Sequence, residues 1–145
     1  VLFIDLDRFK AVNDQFGHAA GNECLRGIVN IVSSVVQGRA RVYRYGGDEF
    51  AIVMPNFTGD ESAATAERIR REVDQANLGG EVHVTTSIGI ASSEDYRDAT
   101  ALLAAADEAK YAAKKVDGPN QVRRAPLPKE VAERAVVARA NATGR

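Results

Sequence analysis

Residues 44–50 read Arg-Tyr-Gly-Gly-Asp-Glu-Phe: two glycines followed by two adjacent carboxylates, flanked on both sides by runs of strand-forming residues. Glycine supplies the positive backbone angles that a hairpin turn prefers. Strands are therefore expected from Arg41 to Tyr45 and from Glu49 to Met54, with Pro55 ending the second. A tight hairpin cannot belong to a purely parallel sheet. This short run thus confines the chain to folds whose sheet is at least partly antiparallel, and it places Asp48 and Glu49 at the hairpin tip.

The rest of the pattern supplies the layers. Residues 1–7, Val-Leu-Phe-Ile-Asp-Leu-Asp, form a mostly apolar run that ends in acids, as expected of a buried strand with a polar carboxyl end. A short helix is expected over 8–16. A second helix is expected after the turn-prone Gly17 and Gly21, with Leu25, Ile28, Val29, Val32 and Val36 facing the sheet. Thr58 or Asp60 caps a third helix whose inner face is Ala66, Ile69, Val73 and Ala76. Alternation from Val82 through Val84, Thr86 and Ile88 to Ile90 marks a strand. Leu102, Leu103, Ala106, Ala109 and Ala113 line a last helix that stops before Asp117-Gly118-Pro119, and Gln121 to Arg124 close the sheet. The expected class is α/β (α+β): helices covering a largely antiparallel central sheet. One domain is expected over 1–124, followed by a linker or weak helix over 125–145, where the composition shifts to Ala, Arg, Val and Glu.

Composition narrows the function. The 145 residues are 45% hydrophobic and 27% charged, which describes a globular chain and not a disordered or membrane-embedded one. A formal charge of -1 gives no net attraction for a polyanion, and no basic aromatic surface is evident, so nucleic acid is not an expected partner. The single cysteine, Cys24, excludes an internal disulfide, suits a reducing compartment, and lies beside the apolar helix stripe as a small buried hydrophobe. The chain begins at Val1 inside a strand-like run, and a fragment of a longer protein is expected.

Asp5 lies between Ile4 and Leu6 in the first strand, and Asp7 shares its face. Burying an unpaired carboxylate is costly, and a like charge two residues away makes it worse. A cation resolves both. If the first strand lies beside the hairpin, Asp5 and Asp48 come together, and Mg²⁺ favours a site of one or two carboxylates completed by substrate phosphates. An ordinary solvated hairpin is the plainer reading of Gly-Gly-Asp-Glu by itself. His83 stands in a strand without a neighbouring Cys, His or acid at the spacing of a zinc site.

Four ordered segments carry a family resemblance: FIDLDRFKAVNDQFGHAAGN at 3–22, RYGGDEF at 44–50, SIGIA at 87–91 and ADEAKYAAKK at 106–115. Together they make residues 1 to about 124 resemble the GGDEF family of diguanylate cyclases, without the helix and D-x-L-T segment that precede the first strand in that family. The resemblance implies a nucleotidyl cyclase or polymerase palm (ferredoxin-like) fold. It further implies condensation of two GTP into cyclic di-GMP with loss of two pyrophosphates, across a homodimer in which each protomer holds one GTP. By matching positions, Asp5, the Leu6 carbonyl and Asp48 would hold Mg²⁺ or Mn²⁺, with a pair of cations per active site activating the hydroxyl and neutralising the leaving group. Asp48 or Glu49 would help deprotonate the hydroxyl, and Lys10 would stabilise the transition state. Phe9 and Lys10 would offer backbone N–H groups to the phosphates at a helix start. Lys114 would bind phosphate, Gly47 would admit the nucleotide against the backbone, and Asn13, His18 and Asn22 would meet the guanine side. A cytoplasmic location is implied, with sensory or effector domains in a parent that is itself membrane-anchored or free.

Three departures modify that expectation. Asn22 stands where the family usually has Asp; an amide offers one acceptor and one donor, so it cannot accept both guanine protons, and its donor can face adenine N1. Relaxed base selectivity and some ATP use follow, unless Asn22 instead caps the next helix and Asn13 suffices. Pro119 stands near a phosphate-contacting Arg of the family and has neither charge nor N–H. Gln37 and Ala40 replace the R-x-x-D ends of the family's inhibitory product site, so no inhibition is expected there. The alternative function is a catalytically weak GTP-binding module that regulates a larger signalling protein.

Overall fold

A computed structural model describes residues 1–133; the remainder of the tail expected as a linker or weak helix lies outside the described residues. The elements run β1 (Leu2–Asp7), α1 (Phe9–Val36), β2 (Arg41–Arg44), β3 (Glu49–Val53), α2 (Gly59–Gln75), β4 (Thr85–Ile90), α3 (Ala99–Lys115) and β5 (Val122–Arg124). The sheet order is β2-β3-β1-β4-β5. Every pairing is antiparallel except β4 with β5, so the sheet is largely antiparallel, as the hairpin requires. Beyond β5 the backbone has no regular structure to 128 and turns helical at 129–133.

The period of two along β1 divides the molecule. Leu2, Ile4 and Leu6 enter the larger core with Phe50 and Ile52 of β3, Ile28 and Val32 of α1, and Ile69 and Val73 of α2. Phe3 points the other way, into a smaller cluster with Ala51, Ala105 and Ala106. Helices α1 and α2 therefore cover one face and α3 the other. Asp5, Asp7 and Glu49 follow the parity of Phe3 and Ala51, and they fall on the α3 face.

Four local expectations are corrected. The two helices expected over 8–36 form one element, α1, kinked at Gly17 (φ 81°, ψ 171°), which glycine tolerates; the kink keeps both halves on the same sheet face. Gly46 and Gly47 do not adopt positive φ; among the described residues the positive-φ glycines are Gly17, Gly38, Gly80 and Gly118. Strand β4 begins at Thr85, not Val82, and all six of its residues are buried, because it is the fourth of five strands with helices on both faces. Leu103 and Ala76, expected inside, are exposed: α3 lays Ala105, Ala106, Ala109 and Ala113 on the sheet, and Ala76 is the C-cap of α2. Thr58 is the N-cap of α2 in a full capping box with Glu61. Cys24 is fully buried, and burial pushes its thiol pKa up, consistent with a core residue.

Candidate active site

The acids meet at the carboxyl end of β1. Asp5 is the register partner of Glu49 across β1 and β3, and the Leu6 N–H donates to the Asp48 carbonyl at 3.1 Å, which ties the hairpin tip to β1. The turn is closed by Tyr45 N–H to the Glu49 carbonyl (2.8 Å). It is braced by the Arg44 guanidinium, which donates to the carbonyls of Gly46 (3.2 Å) and Gly47 (2.7 Å). The glycines serve proximity here. A Cβ on residue 46 would lie 2.9 Å from Glu49 Oε2, whereas one on residue 47 would meet nothing within 4 Å, so Gly47 presents open backbone.

Helix α3 brings two lysines onto these acids, one turn apart. Lys114 pairs with Asp5, its Nζ lies 3.4 Å from the Leu6 carbonyl and 3.9 Å from Asp7, and Lys110 pairs with Glu49. The cation that the Asp5 and Asp7 pair demands is supplied in part by the Lys114 ammonium. Burial raises the Asp5 pKa; the hydrogen bond and charge of Lys114 oppose that rise, and the Asp48 charge adds to it. Asp7, only 2% exposed, is also met by neutral donors: Thr85 Oγ1 at 2.8 Å, Ser87 Oγ at 2.9 Å and the Asn120 N–H at 2.9 Å. It has become a buried structural acceptor.

Arg8 precedes α1 in the left-handed region (φ 64°) and offers its first turn no side-chain cap. Phe9 is buried there and Lys10 exposed. Farther along α1, a cleft of about 600 Å³ opens between this helix and β2–β3, lined by Asn22, Leu25, Arg26, Val29, Asn30, Val42, Arg44 and Phe50. Val29, expected on the sheet face, lies at this cleft. Asn22 lies inside α1, so the reading of it as a helix cap is overturned. Asn13 packs against Gly21, where a Cβ would lie 2.0 Å from Asn13 Oδ1, and His18 is exposed beside the kink; neither lines the cleft.

The structure thus brings together Asp5, Leu6, Asp48, Glu49 and Lys114, and it sets Asn22 apart in the cleft. Sequence reasoning missed Lys110, Arg44 and the donors to Asp7. A lysine four residues after Ala106, on an alanine-lined helix face, was the legible signal for the first. Among the described residues no group of three or more His, Cys, Asp or Glu side chains is placed to hold a metal ion by itself. The cation ligands on offer are two carboxylates and a backbone carbonyl, a hard-oxygen set.

This geometry matches a known family. A family model described as "Diguanylate cyclase, GGDEF domain" matches residues 1–120, and the chain belongs to that family. It is 41% identical over 119 residues to diguanylate cyclase DosC of Escherichia coli strain K12, covering 79% of this chain and 26% of DosC. It is 37% identical over 126 residues to diguanylate cyclase A of Treponema denticola, covering 84% and 34% of the two chains. The chain therefore spans about a quarter to a third of these relatives. Among solved structures, the GGDEF domain of YfiN (TpbB) from Pseudomonas aeruginosa superposes with a TM-score of 0.77 at 35% identity, covering 88% of this chain and 81% of that one. The active GGEEF domain of a diguanylate cyclase from Vibrio cholerae gives 0.76 at 28% identity, with coverages of 88% and 82%.

Proposed function

We propose that this domain condenses two GTP molecules into cyclic di-GMP with release of two pyrophosphates, each of two protomers presenting one nucleotide. The observation that carries the reading is that Asp5 and the Leu6 carbonyl face one ammonium at the carboxyl end of β1, with the backbone of Asp48 hydrogen-bonded to Leu6 beside the start of α1. These oxygens fit Mg²⁺ or Mn²⁺: both already face a cation, the Lys114 ammonium. When bound, the metal supplies charge neutralisation at the triphosphate and acidifies the attacking 3′ hydroxyl.

The chain's own groups do the rest. The first turn of α1 directs the N–H groups of Phe9 and Lys10 toward phosphate oxygens, and the positive end of the helix dipole favours them there. The exposed Lys10 ammonium stabilises charge developing on the phosphoryl oxygens. Lys114 leaves Asp5 and pairs with phosphate. Asp48 or Glu49 accepts the hydroxyl proton, and the open backbone at Gly47 lets the nucleotide lie close. The base enters the cleft at Asn22, with Asn13 and His18 on the same helix. Asn22 relaxes discrimination between guanine and adenine, because its single carbonyl cannot accept both guanine protons while its N–H can donate to adenine N1. The domain ends with β5, and the parent carries further domains and acts in the cytoplasm, where GTP and Mg²⁺ are available.

Incubating the full-length protein with Mg²⁺, GTP and ATP and weighing the cyclic product tests this reading. Cyclic di-GMP, alone or with a mixed GMP-AMP dinucleotide, is expected. GTP binding without pyrophosphate release would instead favour a regulatory module, a reading that Pro119, exposed and unable to donate or carry charge, keeps in play.

A further inference from the structure

Helix α3 buries a lysine. On its sheet-facing stripe Ala105, Ala106, Ala109 and Ala113 are buried, and Lys110 among them is only 6% exposed. An ammonium in such a place is costly unless it is paired. Lys110 is paired twice, with Glu49 and with Asp107 at 2.8 Å, and its Nζ lies 5.8 Å from the centre of the Phe3 ring. Burial pulls its pKa down, but the hydrogen bonds and negative charges of Asp107 and Glu49 together leave it raised. The lysine is charged at neutral pH.

Its reach depends on close approach of α3 to the sheet. A Cβ on Gly89 would lie 2.1 Å from the Ala106 carbonyl oxygen and 2.2 Å from the Lys110 nitrogen, so glycine lets α3 rest directly on β4. The Lys110 backbone is fixed by that contact, and its side chain extends past β1 to β3. There it ends on Glu49, which adjoins Asp48 in sequence and faces Asp5 in register. Filling this stripe requires no charge, as its alanines show; the ammonium adds a fixed partner for one particular carboxylate.

We propose that Lys110 is a positioning residue that holds the Glu49 carboxylate in its working orientation at the tip of the acidic hairpin. The proposal rests on the cyclase reading above for its kinetic consequence, though not for its structural one. Lys110 touches no substrate; it acts through Glu49.

Lys110→Met keeps the stem and removes the charge. It should fold, since the carboxylates it leaves unpaired are partly exposed, Glu49 at 31% and Asp107 at 55% of the side chain, and can be hydrated. Its kcat should fall by about tenfold or more, the scale on which a misplaced proton acceptor acts, with KM for GTP changed by less than about twofold. Lys110→Arg should keep more than about a third of the kcat, because the charge remains. An unchanged kcat in Lys110→Met, or an equal loss in Lys110→Arg, overturns the proposal. Should Lys110→Met fail to fold, Lys110→Gln is judged by the same criteria. A crystal structure of the folded uncharged variant decides the matter even if the wild-type protein has no turnover and the cyclase reading fails. Glu49 in a new rotamer supports the proposal, and Glu49 unmoved overturns it.

Discussion

Asp5 and Glu49 stand opposite one another across β1 and β3, and α3 sets one lysine against each, Lys114 against Asp5 and Lys110 against Glu49. Directly opposed like charges destabilise a strand pair. The two lysines, four residues apart and so on one helix face, offset that repulsion. A site rich in carboxylates is in this way built into a packed sheet before any nucleotide arrives.

Removing either convergent carboxylate separates chemistry from folding. Asp48→Ala and Asp5→Asn should each lower cyclic dinucleotide formation by about 10²-fold or more, the scale of losing a charge-stabilising group. Circular dichroism should show the native fold in both. Retained turnover, followed as pyrophosphate release, would count against the assignment.

Base selectivity is expected to follow residue 22. With GTP and ATP in equal competition, the wild-type protein should incorporate measurable adenine. Asn22→Asp should raise the guanine preference by about tenfold or more, because a carboxylate accepts both guanine protons and leaves adenine unmatched. Mass analysis of the cyclic products reads the ratio. Strict GTP use by the wild type would end the relaxed-selectivity idea.

Gly89→Ala should cost about 1–3 kcal/mol, as overpacking does, because the added methyl meets backbone atoms of Ala106 and Lys110 that cannot swing away. A urea midpoint measures it. The same shift of α3 withdraws Lys110 and Lys114 together, so turnover should fall with stability.

Acid should destabilise the fold from about pH 4.5 downward. Backbone and side-chain hydrogen bonds from Thr58 lower the Glu61 pKa from 4.5, the Arg70 hydrogen bond lowers that of Glu67 from 4.5, and His83, then Asn120, lower that of Asp74 from 3.8. Groups whose folded pKa is depressed contribute stability above the unfolded value and lose it as pH falls through the folded one. Asp5 runs the other way. Its pKa is raised from 3.8, so its contribution weakens as pH climbs through that window. Urea midpoints measured against pH should fall on the acid side, with a shallower slope in Glu67→Gln and Asp74→Asn.

Much of this was legible because period and parity carry it. The hairpin, the apolar run ending in Asp5 and Asp7, and the alanine face of α3 fixed the layers and brought the acids to one face. What escaped depends on contacts between segments far apart in sequence. Asp7 looked like half of a cation site because nothing in its neighbourhood announces Thr85, Ser87 and Asn120 as donors. Gly46 and Gly47 looked like residues chosen for backbone angle, whereas residue 46 needs only the absence of a Cβ beside Glu49. Lys110 reads as surface until α3 is laid on β4 through Gly89. Asn22 looked able to cap a helix because the kink at Gly17 reads as a gap between helices, while the structure carries α1 through it.

The two margins of the sheet carry a further consequence. Strand β2 has Arg41 and Arg44 in four residues, and β5 has Arg123 and Arg124 in three. Short edges carrying charged side chains discourage strand addition, and on β5 those charges are held in ion pairs, Arg123 with Asp117 and Arg124 with Asp60. Lateral growth of the sheet from one molecule into the next is disfavoured on both flanks, away from the end where the carboxylates gather.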